Sequence, residues 1–590
     1  MPGHYMKKTS CTRCPKNHAS PGGSKTTACT KCLAPFTANP DQSECIDRLA
    51  WSHWGGDLSN RRWSQVEKKL TVAKAGKLKV KWEADVAGST SATPTIHNGF
   101  LYVPDWEGNV FCLKAATGEV VWSKQVKDYI SQLGVPLPAN LGVFPLISRN
   151  SPVIYNNELV ILGTMQAVYG GYAFWLALRA SDGALVWGKQ ADTNIAATIT
   201  QSPTLYEGVI YTGISSLEEN VASRQAHVCC SFRGSAAAVD ARTGDLLWQT
   251  FTAPDIGRGA NDSWAGASIW GSSPVVDRQR GQIIVATANN YRMPLDVEAC
   301  LLALGPLTVA NSPQQKVCMQ LSRGNENHHN SILALDMKTG AIKWATPVDG
   351  PDAWNAACLS SNPAVRDNCP AVEGPDFAFG QAPMLVTPCK PGKGCKQLLI
   401  VGQKSGIVWA LDPNDGSIAW NQRAGPGGLI GGLMWGSASD NKLVYVSNNN
   451  MYNTKVDFQG ADAYLKPVPN VKGEKVAPAS TNGGLCVALD AWDGTVRWTF
   501  ANPMLDQAGR NAKSLAAITV ANGVLTYASM DPTGRLFMLR ATDGKLLGSY
   551  DLGASSACGP SIVDGVLYSG TGYTNFALGT AGTKVIALTV

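Results

Sequence analysis

The sequence has few charged residues. It also lacks long basic runs, membrane-spanning apolar stretches and the apolar core of a signal peptide. Charged residues make up 16% of the 590-residue chain. No run of five lysines or arginines occurs, so we expect no nucleic-acid partner despite the net charge of +6. No apolar stretch reaches the roughly 18 residues needed to span a membrane. The N-terminus, MPGHYMKKTS, lacks the apolar core of a signal peptide, and we expect it to be truncated.

Cysteine, by contrast, is abundant. The chain has 16 cysteines, several of them close together in polar segments, which favours an oxidising compartment: secreted, periplasmic or at the cell surface. Four pairs lie in or beside long insertions and are predicted local disulfides: Cys229–Cys230, Cys300–Cys318, Cys358–Cys369 and Cys389–Cys395. Three others fall in strand positions and are predicted buried free thiols: Cys112, Cys486 and Cys558.

Residues 1–48 form a separate cysteine-rich segment with almost no large apolar residues. From Cys11 to Cys45 the spacing is C-x2-C-x14-C-x2-C-x12-C, so the segment needs staples to fold. Zinc and disulfides are the two alternatives. We favour disulfides because the CPxxxxSPGGS element resembles the cysteine-rich repeats of ephrin-receptor and growth-factor-receptor ectodomains. Neither CxxC is followed by His, which excludes c-type haem attachment here.

One phrase of eleven residues repeats along the rest of the chain. Its fullest copy, AVDARTGDLLW from Ala238 to Trp248, predicts a short strand, a turn stabilised by Asp, and a second strand that ends at a tryptophan. The six other copies end at Trp122, Trp187, Trp344, Trp420, Trp498 and Gly548. We expect the repeated Trp and Gly residues to pack between neighbouring units rather than to carry chemistry.

A second type of hairpin precedes each copy. Eight such hairpins occur, from TPTIHNGFLYV at Thr93 to GPSIVDGVLYSG at Gly559. The eighth partner is split between the chain ends, with KVIALTV from Lys584 and GKLKVKW from Gly76 as its two strands. A lone small sheet cannot bury both faces. The repeat therefore predicts an all-β fold, an eight-bladed β-propeller over residues 49–590, closed by strands from both ends.

Two kinds of segment lie outside the blade repeats. The aromatic and polar segment LAWSHWGGDLSNRRW, residues 49–63, is expected to strap across the ring. Long insertions are expected at the mouth of the propeller, where long loops are usually functional. The insertions are Ser123–Asn150, Leu217–Arg233, Thr250–Ser268, Asn290–Asn330, Ala345–Gly380 and Asn448–Gly484.

A set of ordered motifs resembles one family, the pyrroloquinoline quinone (PQQ) dehydrogenases, and within it the polyvinyl alcohol dehydrogenase-like branch. The motifs are GISSLEEN, HVCCSFRG, GASIWGSSPVVD, ATANNY, PDAWNAAC, GPDFAFG, GQKSGIVWALDPNDG and GGLMWGSA. The resemblance covers essentially the whole propeller. Family membership alone does not establish activity, so each site residue is considered separately.

The resemblance implies a site for PQQ, a planar tricarboxylate quinone, at the centre of the ring. Trp270 would be its aromatic floor, which suits a flat π-system. The other implied cofactor contacts are Thr200, Ser215, Ser268, Trp435 and a ring formed by Cys229 and Cys230. In the methanol-oxidising branch the corresponding cysteine pair lies in the first blade, whereas here it lies in the third-blade insertion, which leaves its stacking role open.

The resemblance also implies a calcium ion and a catalytic cation. Glu218 and Asn289 match the side chains that hold Ca²⁺ against the quinone, and their oxygens are suitable hard ligands. Glu219 is an equally placed rival to Glu218. Lys404 matches the cation beside the reactive quinone carbonyl, where it can stabilise developing negative charge.

Two positions depart from the family pattern. Asn355 stands where the methanol-oxidising branch has its catalytic Asp, and Asn cannot act as a general base. Ser91 stands where other members place a Glu near the cofactor. The nearest carboxylate on the loop of Asn355 is Asp352, which we consider as the proton acceptor. The alternative is that Asp352 only caps the loop.

The sequence thus predicts an extracytoplasmic quinoprotein that oxidises a primary or secondary alcohol, such as one in a polyol or a polymer. Hydride would pass to the quinone while a carboxylate removes the hydroxyl proton, and the electrons would leave through a separate cytochrome c or other acceptor. One alternative is a non-catalytic propeller whose cysteine-rich segment makes cell-surface or matrix contacts. Another is a carbohydrate-binding propeller without quinone.

Overall fold

Eight antiparallel sheets follow one another along the chain and form the blades of a propeller. The computed structural model describes residues 4–7, 10–14, 16–20, 29–34, 36–39, 45–169, 171–461 and 463–590. Each blade has four strands. Two blades gain a short fifth strand, Ala197–Thr198 in blade 3 and Trp63–Ser64 in blade 7. The predicted eight-bladed architecture is confirmed.

The blades are numbered from 1 to 8 along the chain. From the inner to the outer edge, the strands of blades 1 to 4 are Thr95–His97, Phe100–Pro104, Asn109–Lys114 and Val120–Gln125; Val153–Tyr155, Leu159–Gly163, Phe174–Arg179 and Leu185–Gln190; Thr204–Tyr206, Val209–Ser216, Ser235–Asp240 and Leu246–Phe251; and Val275–Asp277, Gln282–Ala286, Ser331–Asp336 and Ile342–Pro347. Those of blades 5 to 8 are Met384–Val386, Leu398–Gly402, Ile407–Leu411 and Ile418–Arg423; Ala438–Ser439, Leu443–Asn448, Leu485–Asp490 and Val496–Ala501; Thr519–Ala521, Val524–Ala528, Arg535–Arg540 and Leu546–Asp551; and Ser561–Val563, Val566–Gly570, Lys584–Thr589 and Lys79–Asp85.

Both chain ends contribute to blade 8, as the split repeat predicts. The outer strand Lys79–Asp85 pairs antiparallel with Lys584–Thr589, the last strand of the chain. The inner strand of blade 8, Ser561–Val563, contacts that of blade 1, Thr95–His97, so the ring is continuous. Closure leaves no blade face without a neighbour.

The repeated tryptophans pack on the repeated glycines of the next blade. A Cβ atom at Gly118 of blade 1 would clash with the ring of Trp82 of blade 8, and the same relation holds around the ring. The other six pairs, Gly first, are Gly183 and Trp122, Gly244 and Trp187, Gly340 and Trp248, Gly416 and Trp344, Gly494 and Trp420, and Gly544 and Trp498. Gly548 stands at the eighth such position in place of a Trp, because the backbone of Gly76 occupies that space.

Residues 49–64, called the strap below, run across the inner strands of the blades. Their backbone pairs with Ile96 of blade 1 and with Val520 of blade 7. Further hydrogen bonds join the strap to Val276, Leu385 and Ser439 through the backbone, and to Leu205 and Ile562 through His53 and Ser64. The strap thus contacts seven blades at their inner strands and holds them around one axis.

Arg62 lies near the C-terminal end of the strap and is fully buried. Its guanidinium donates to the carbonyls of Trp54 and Ile518 at 2.6 and 2.7 Å. It also donates to the carbonyl of Pro560 and to the hydroxyls of Thr93 and Thr519. Burial lowers the pKa of Arg62 to about 9. The hydrogen-bonding capacity of this buried cation is therefore largely used by neutral acceptors.

The helices lie in the predicted long insertions. They span Val126–Gln132, Glu218–Val221, Leu295–Ala303, Ser312–Cys318 and Pro363–Arg366, with 3-10 turns at Ala75–Lys77, Gly324–Glu326, Ala356–Leu359 and Asn575–Ala577. Short ladders outside the blades are Leu146–Ile147 with Met165–Gln166, Ala265–Gly266 with Asn290–Arg292, Cys389–Lys390 with Gly394–Cys395, and Val456–Asp457 with Ser480–Thr481. Within the described residues, no helix has the length and apolar character to cross a membrane.

The predicted disulfides are present. The four insertion pairs are bonded, and Cys112, Cys486 and Cys558 are buried free thiols. In the N-terminal segment Cys14 pairs with Cys29 and Cys32 with Cys45, so disulfides rather than zinc staple it. Its short strands are His4–Lys7, Ser10–Arg13, His18–Ala19, Thr30–Lys31, Phe36–Ala38 and Cys45–Asp47.

Candidate active site

A cavity lies at the centre of the ring, where the segments that enter the inner strands converge. The strap residue Trp54 lines it together with Trp270 and Trp435. Its polar lining includes Ser91, Arg149, Ser151 and Thr200. Ser91, Arg149 and Thr200 each lie two residues before the first residue of a hairpin pattern, so the repeat itself brings them to the cavity.

Two tryptophans meet at right angles in this cavity. The ring centres of Trp270 and Trp435 are 5.7 Å apart with an interplanar angle of 87°. Both line the cavity, and the Trp435 backbone has a positive φ of 59°. Such an edge-to-face pair forms two walls of an aromatic corner. The structure therefore brings together two residues that the sequence assigns to cofactor binding.

Arg149 is a second enclosed guanidinium, and it differs from Arg62. It lies 5.0 Å from the ring centre of Trp435, and burial lowers its pKa. Among the described residues no carboxylate forms an ion pair with it. Two buried donors of the cavity lining, Ser151 Oγ and Trp435 Nε1, also lack a hydrogen-bond partner there. A cavity with an unpaired cation and free donors suits a ligand rich in anionic acceptors.

The three hydroxyls predicted to contact the cofactor lie close together on blades 3 and 4. Thr200 lines the cavity and its Oγ1 is 2.9 Å from Ser215 Oγ. Ser268 Oγ is 2.6 Å from the hydroxyl of Tyr291. Ser215 and Ser268 are buried, and Thr200 is the one that reaches the cavity in this structure.

Lys404 forms a buried ion pair beside Trp270. Its Nζ lies 2.8 and 2.9 Å from the two carboxylate oxygens of Asp376 and 5.6 Å from the centre of the Trp270 ring. Burial raises the pKa of Asp376 well above its ordinary value, although Lys404 opposes the shift. Burial works against the charge on Lys404, but Asp376 and Glu219 raise its pKa above the usual range. A cation and a carboxylate therefore lie side by side in one buried ion pair.

The two neighbouring glutamates have different environments. Both oxygens of Glu218 accept hydrogen bonds, from the backbone N–H groups of Ser231 and Phe232. The His227 ring lies 3.2 Å from Glu218 Oε1, on the same loop. Glu219 Oε1 is buried and has no hydrogen-bond partner among the residues that the structure describes. Burial raises the pKa of Glu219, and the attraction of Lys404 opposes that shift.

Asn289 presents a second oxygen without a partner. Its Nδ2 donates to the carbonyls of Asn290 and Trp354, at 2.9 and 3.1 Å, which fixes the orientation of the amide. Its Oδ1 is buried and accepts no hydrogen bond from any described part of the chain. Asn289 Oδ1 and Glu219 Oε1 are thus two hard oxygen donors available to a cation. Of the rival glutamates, Glu219 is the one with a free oxygen.

Asp352 and Asn355 have contacts of another kind. The Asp352 carboxylate accepts the backbone N–H groups of Asp376 and Phe377 and the amide of Asn330. Asn355 accepts from the Ala357 N–H and so caps the turn Ala356–Leu359. Asp352 thus contacts the backbone of Asp376 and not Lys404. The carboxylate that pairs with Lys404 is that of Asp376.

The bonded pair Cys229–Cys230 lies in the loop that Glu218 holds. Both cysteines are buried, and Phe232 and Tyr291 belong to the same apolar cluster. The side chain of Asn355 lies 3.5 Å from Cys229 Sγ. The pair is therefore packed between the blade 3 insertion and the blade 4 insertions.

Sequence reasoning missed two residues of this site. Arg149 occupies the same repeat position as Thr200, so aligning the blades on that register would have singled it out. Asp376 lies in the motif GPDFAFG, which carries the family resemblance, but along the chain it is farther from Asn355 than Asp352 is. Distance along the chain was a poor guide because the insertion folds back on itself.

Comparisons with known proteins agree with this architecture. The profile of the PQQ_2 family, described as outer membrane protein assembly factor BamB, matches residues 69–346 and 396–575. The polyvinylalcohol dehydrogenase of Pseudomonas sp. is 28% identical over 580 residues, covering 90% of this chain and 74% of the relative. The protein of the same name from Sphingopyxis sp. is 28% identical over 553 residues, covering 89% and 72%.

Solved structures show the same fold. Quinohemoprotein alcohol dehydrogenase from Comamonas testosteroni superposes with a TM-score of 0.62 at 17% identity, covering 92% of this chain and 80% of that one. A europium-containing methanol dehydrogenase superposes with a TM-score of 0.60 at 15% identity, covering 92% and 98%. At these identities the likeness supports the propeller fold alone.

Proposed function

Because this chain belongs to the PQQ_2 family, we propose that it is a quinoprotein alcohol dehydrogenase, which oxidises a primary or secondary alcohol with PQQ as cofactor. The observation that carries the proposal is the central cavity with its unpaired Arg149. The names of the polyvinylalcohol dehydrogenase relatives support the reaction class.

The residues of the cavity fit PQQ chemically. A planar tricarboxylate quinone needs aromatic walls, cationic partners and hydrogen-bond donors. Trp270 and Trp435 supply the walls, Arg149 the cation, and Ser151 Oγ and Trp435 Nε1 the free donors. Thr200 supplies a further hydroxyl. A carboxylate beside Arg149 would also relieve the cost of an unpaired buried cation.

We propose that the two free oxygens contribute to a calcium site. Glu219 Oε1 and Asn289 Oδ1 are buried acceptors without partners, and Ca²⁺ prefers carboxylate and amide oxygens. Ca²⁺ takes about six to eight oxygen ligands, so two protein ligands leave most coordination positions open. Oxygens of the quinone would fill some of them. We therefore assign Glu219 and Asn289, rather than Glu218, as the metal ligands.

The protein side chains then divide the work of alcohol oxidation. When bound, PQQ supplies the acceptor for the hydride from the alcohol carbon. Asp376 takes the hydroxyl proton, because it is the buried carboxylate next to Lys404 and its raised pKa suits a proton acceptor. Lys404 stabilises the negative charge that develops beside it. We therefore assign the proton acceptor to Asp376 rather than to Asp352.

Substrate, acceptor and compartment follow as further proposals. The relatives make an alcohol within a polyol or a polymer such as polyvinyl alcohol the first substrate to test. Electrons would leave through a separate acceptor such as cytochrome c. Six disulfides support an oxidising compartment outside the cytoplasm.

Asp376→Asn tests the assigned chemistry. Loading with PQQ and Ca²⁺ is measured by absorbance after desalting, and alcohol-dependent dye reduction is measured separately. We expect near-normal loading and a loss of turnover of about 10²-fold or more, the usual contribution of general-base catalysis. Unchanged turnover at full loading would exclude Asp376 as the proton acceptor. A parent protein that retains PQQ but oxidises no alcohol would favour the non-catalytic scaffold.

A further inference from the structure

The carboxylate of Asp352 accepts hydrogen bonds from the loop that carries Asp376. Its Oδ1 accepts the N–H of Asp376 at 3.0 Å, and its Oδ2 accepts the N–H of Phe377 at 2.7 Å. The amide of Asn330 donates to the same Oδ2 at 2.7 Å. A Cβ atom at Gly374 would clash with this carboxylate, so the loop backbone approaches it closely. One buried side chain therefore binds both N–H groups that flank the Cα of Asp376 on its loop.

These bonds hold a backbone conformation that needs support. Asp376 has a φ of 55°, in the left-handed region that residues other than glycine seldom adopt. Such a conformation persists when surrounding contacts determine it. With the backbone held in this way, both Asp376 oxygens lie within 2.9 Å of Lys404 Nζ. The contact between Asp352 and the loop thus sets the position of the Asp376 side chain.

The same buried network reaches the chain next to Lys404. Asn330, which donates to Asp352, also lies 3.5 Å from Asp349. Asp349 in turn accepts a hydrogen bond from the side chain of Gln403, the residue before Lys404. The loop that carries Asp376 and the turn that carries Lys404 are therefore hydrogen-bonded to one connected set of polar side chains.

We propose that Asp352 is a positioning residue that holds Asp376 against Lys404 through the backbone of the Asp376 loop. This inference rests on the proposed function for its kinetic meaning, but its structural content concerns the protein alone. Asp352 then affects turnover through Asp376 and accepts no proton from the alcohol. Asn330 supports it by orienting its carboxylate.

Hydrogen exchange in the quinone-free protein tests the structural part. Asp352→Asn replaces two acceptor oxygens by one oxygen and one NH₂ group, which cannot accept from an N–H. Hydrogen bonds to charged groups contribute enough that exchange of the Asp376 and Phe377 amides should accelerate by about 10- to 100-fold. The control Asn362→Ala removes a cap in the same insertion, where Asn362 accepts the Ala364 N–H. It should leave those two amides unchanged.

Kinetics of the loaded enzyme test the catalytic part. Asp352→Asn should lower kcat by about 10-fold or more while KM for the alcohol and PQQ retention stay near the parent values. In the Asp376→Asn background the same change should have less than about a 2-fold effect, because a positioning residue has nothing left to position. Independent, multiplying losses would overturn the proposal.

The outcomes are distinguishable. Unchanged exchange of the two amides in Asp352→Asn overturns the positioning role. Lost turnover with unchanged exchange also overturns it and makes Asp352 itself the proton acceptor. If Asp352→Asn does not fold, Asn330→Ala, which keeps the carboxylate, should still accelerate exchange of the same amides, and no acceleration overturns the proposal. A parent that retains no PQQ defeats the proposed function but leaves the exchange result valid.

Discussion

Two guanidinium groups, the buried Arg62 and the half-buried Arg149, should respond in opposite ways to the same substitution. Arg62 donates to three carbonyls and two hydroxyls of the strap and the blades. Arg149 is enclosed in the cavity with no carboxylate partner among the described residues, and its neighbour is the ring of Trp435. If Arg62 serves the fold and Arg149 serves a ligand, Arg62→Met and Arg149→Met will separate stability from binding.

The expected magnitudes follow from these contacts. Arg62→Met leaves the buried carbonyl of Ile518 without a donor among the described residues, and the carbonyl of Trp54 keeps only a 3.4 Å contact from Trp51 Nε1. At about 1–3 kcal/mol for each such group, we expect a loss of about 2–5 kcal/mol. Arg149 has no anionic partner among the described residues, so replacing it by an apolar residue removes an uncompensated desolvation cost and gains up to a few kcal/mol. The lost contact with Trp435 offsets about 0.5–2 kcal/mol of that. Quinone-free Arg149→Met should therefore be as stable as the parent or more stable.

Binding should show the reverse order. A charge-assisted hydrogen bond contributes about 1.5–3 kcal/mol, so Arg149→Met should weaken PQQ binding about 10- to 150-fold. Urea unfolding followed by tryptophan fluorescence gives the stabilities, and quinone titration gives the affinities. The reasoning is refuted if Arg149→Met destabilises the protein as much as Arg62→Met, or if it binds PQQ like the parent.

Three further predictions concern the metal, the blades and the cysteine-rich segment. Glu219→Gln should raise the Ca²⁺ concentration needed for PQQ retention by about 10-fold or more. Glu218→Gln should mainly loosen the loop that contains Cys229–Cys230. The opposite pattern would make Glu218 the metal ligand. Gly416→Ala should lower the free energy of unfolding by about 2–4 kcal/mol, because the added Cβ would clash with Trp344. Gly281→Ala should lower it by only about 1 kcal/mol, because no atom lies within 4 Å of the added Cβ. Equal losses would contradict the packing role of Gly416. Deletion of residues 1–46 should leave folding and PQQ retention intact under oxidising conditions, and failure of the truncated ring to fold would show that the segment is not independent.

Much of the fold could be predicted because it is periodic. Seven copies of a phrase ending in Trp or Gly show a repeated packing requirement, and the missing eighth copy pointed to the chain ends, where Lys79–Asp85 and Lys584–Thr589 do pair. The local disulfides were also predictable, since cysteines a few residues apart in one insertion have few alternative partners. The contacts of the strap could not be predicted, because residues 49–64 carry no repeated motif that would indicate their pairing with seven blades.

The site was only partly predictable, for a physical reason in each case. Glu218 and Glu219 are adjacent, and only the fold shows that the first holds a loop while the second keeps a free oxygen. Asp352 is close to Asn355 in sequence, yet Asp376, over 20 residues further on, contacts Lys404. Spacing along the chain cannot rank carboxylates in an insertion that folds back across the ring.

The most direct test of the account is whether the purified chain retains PQQ. The protein is incubated with PQQ and Ca²⁺, desalted, and examined by absorbance, with a chelator-treated sample and Arg149→Met in parallel. We expect stoichiometric quinone in the parent, loss of quinone in the chelated sample, and weakened retention in the variant. A parent that keeps no quinone after desalting, while still folded, would contradict the central claim.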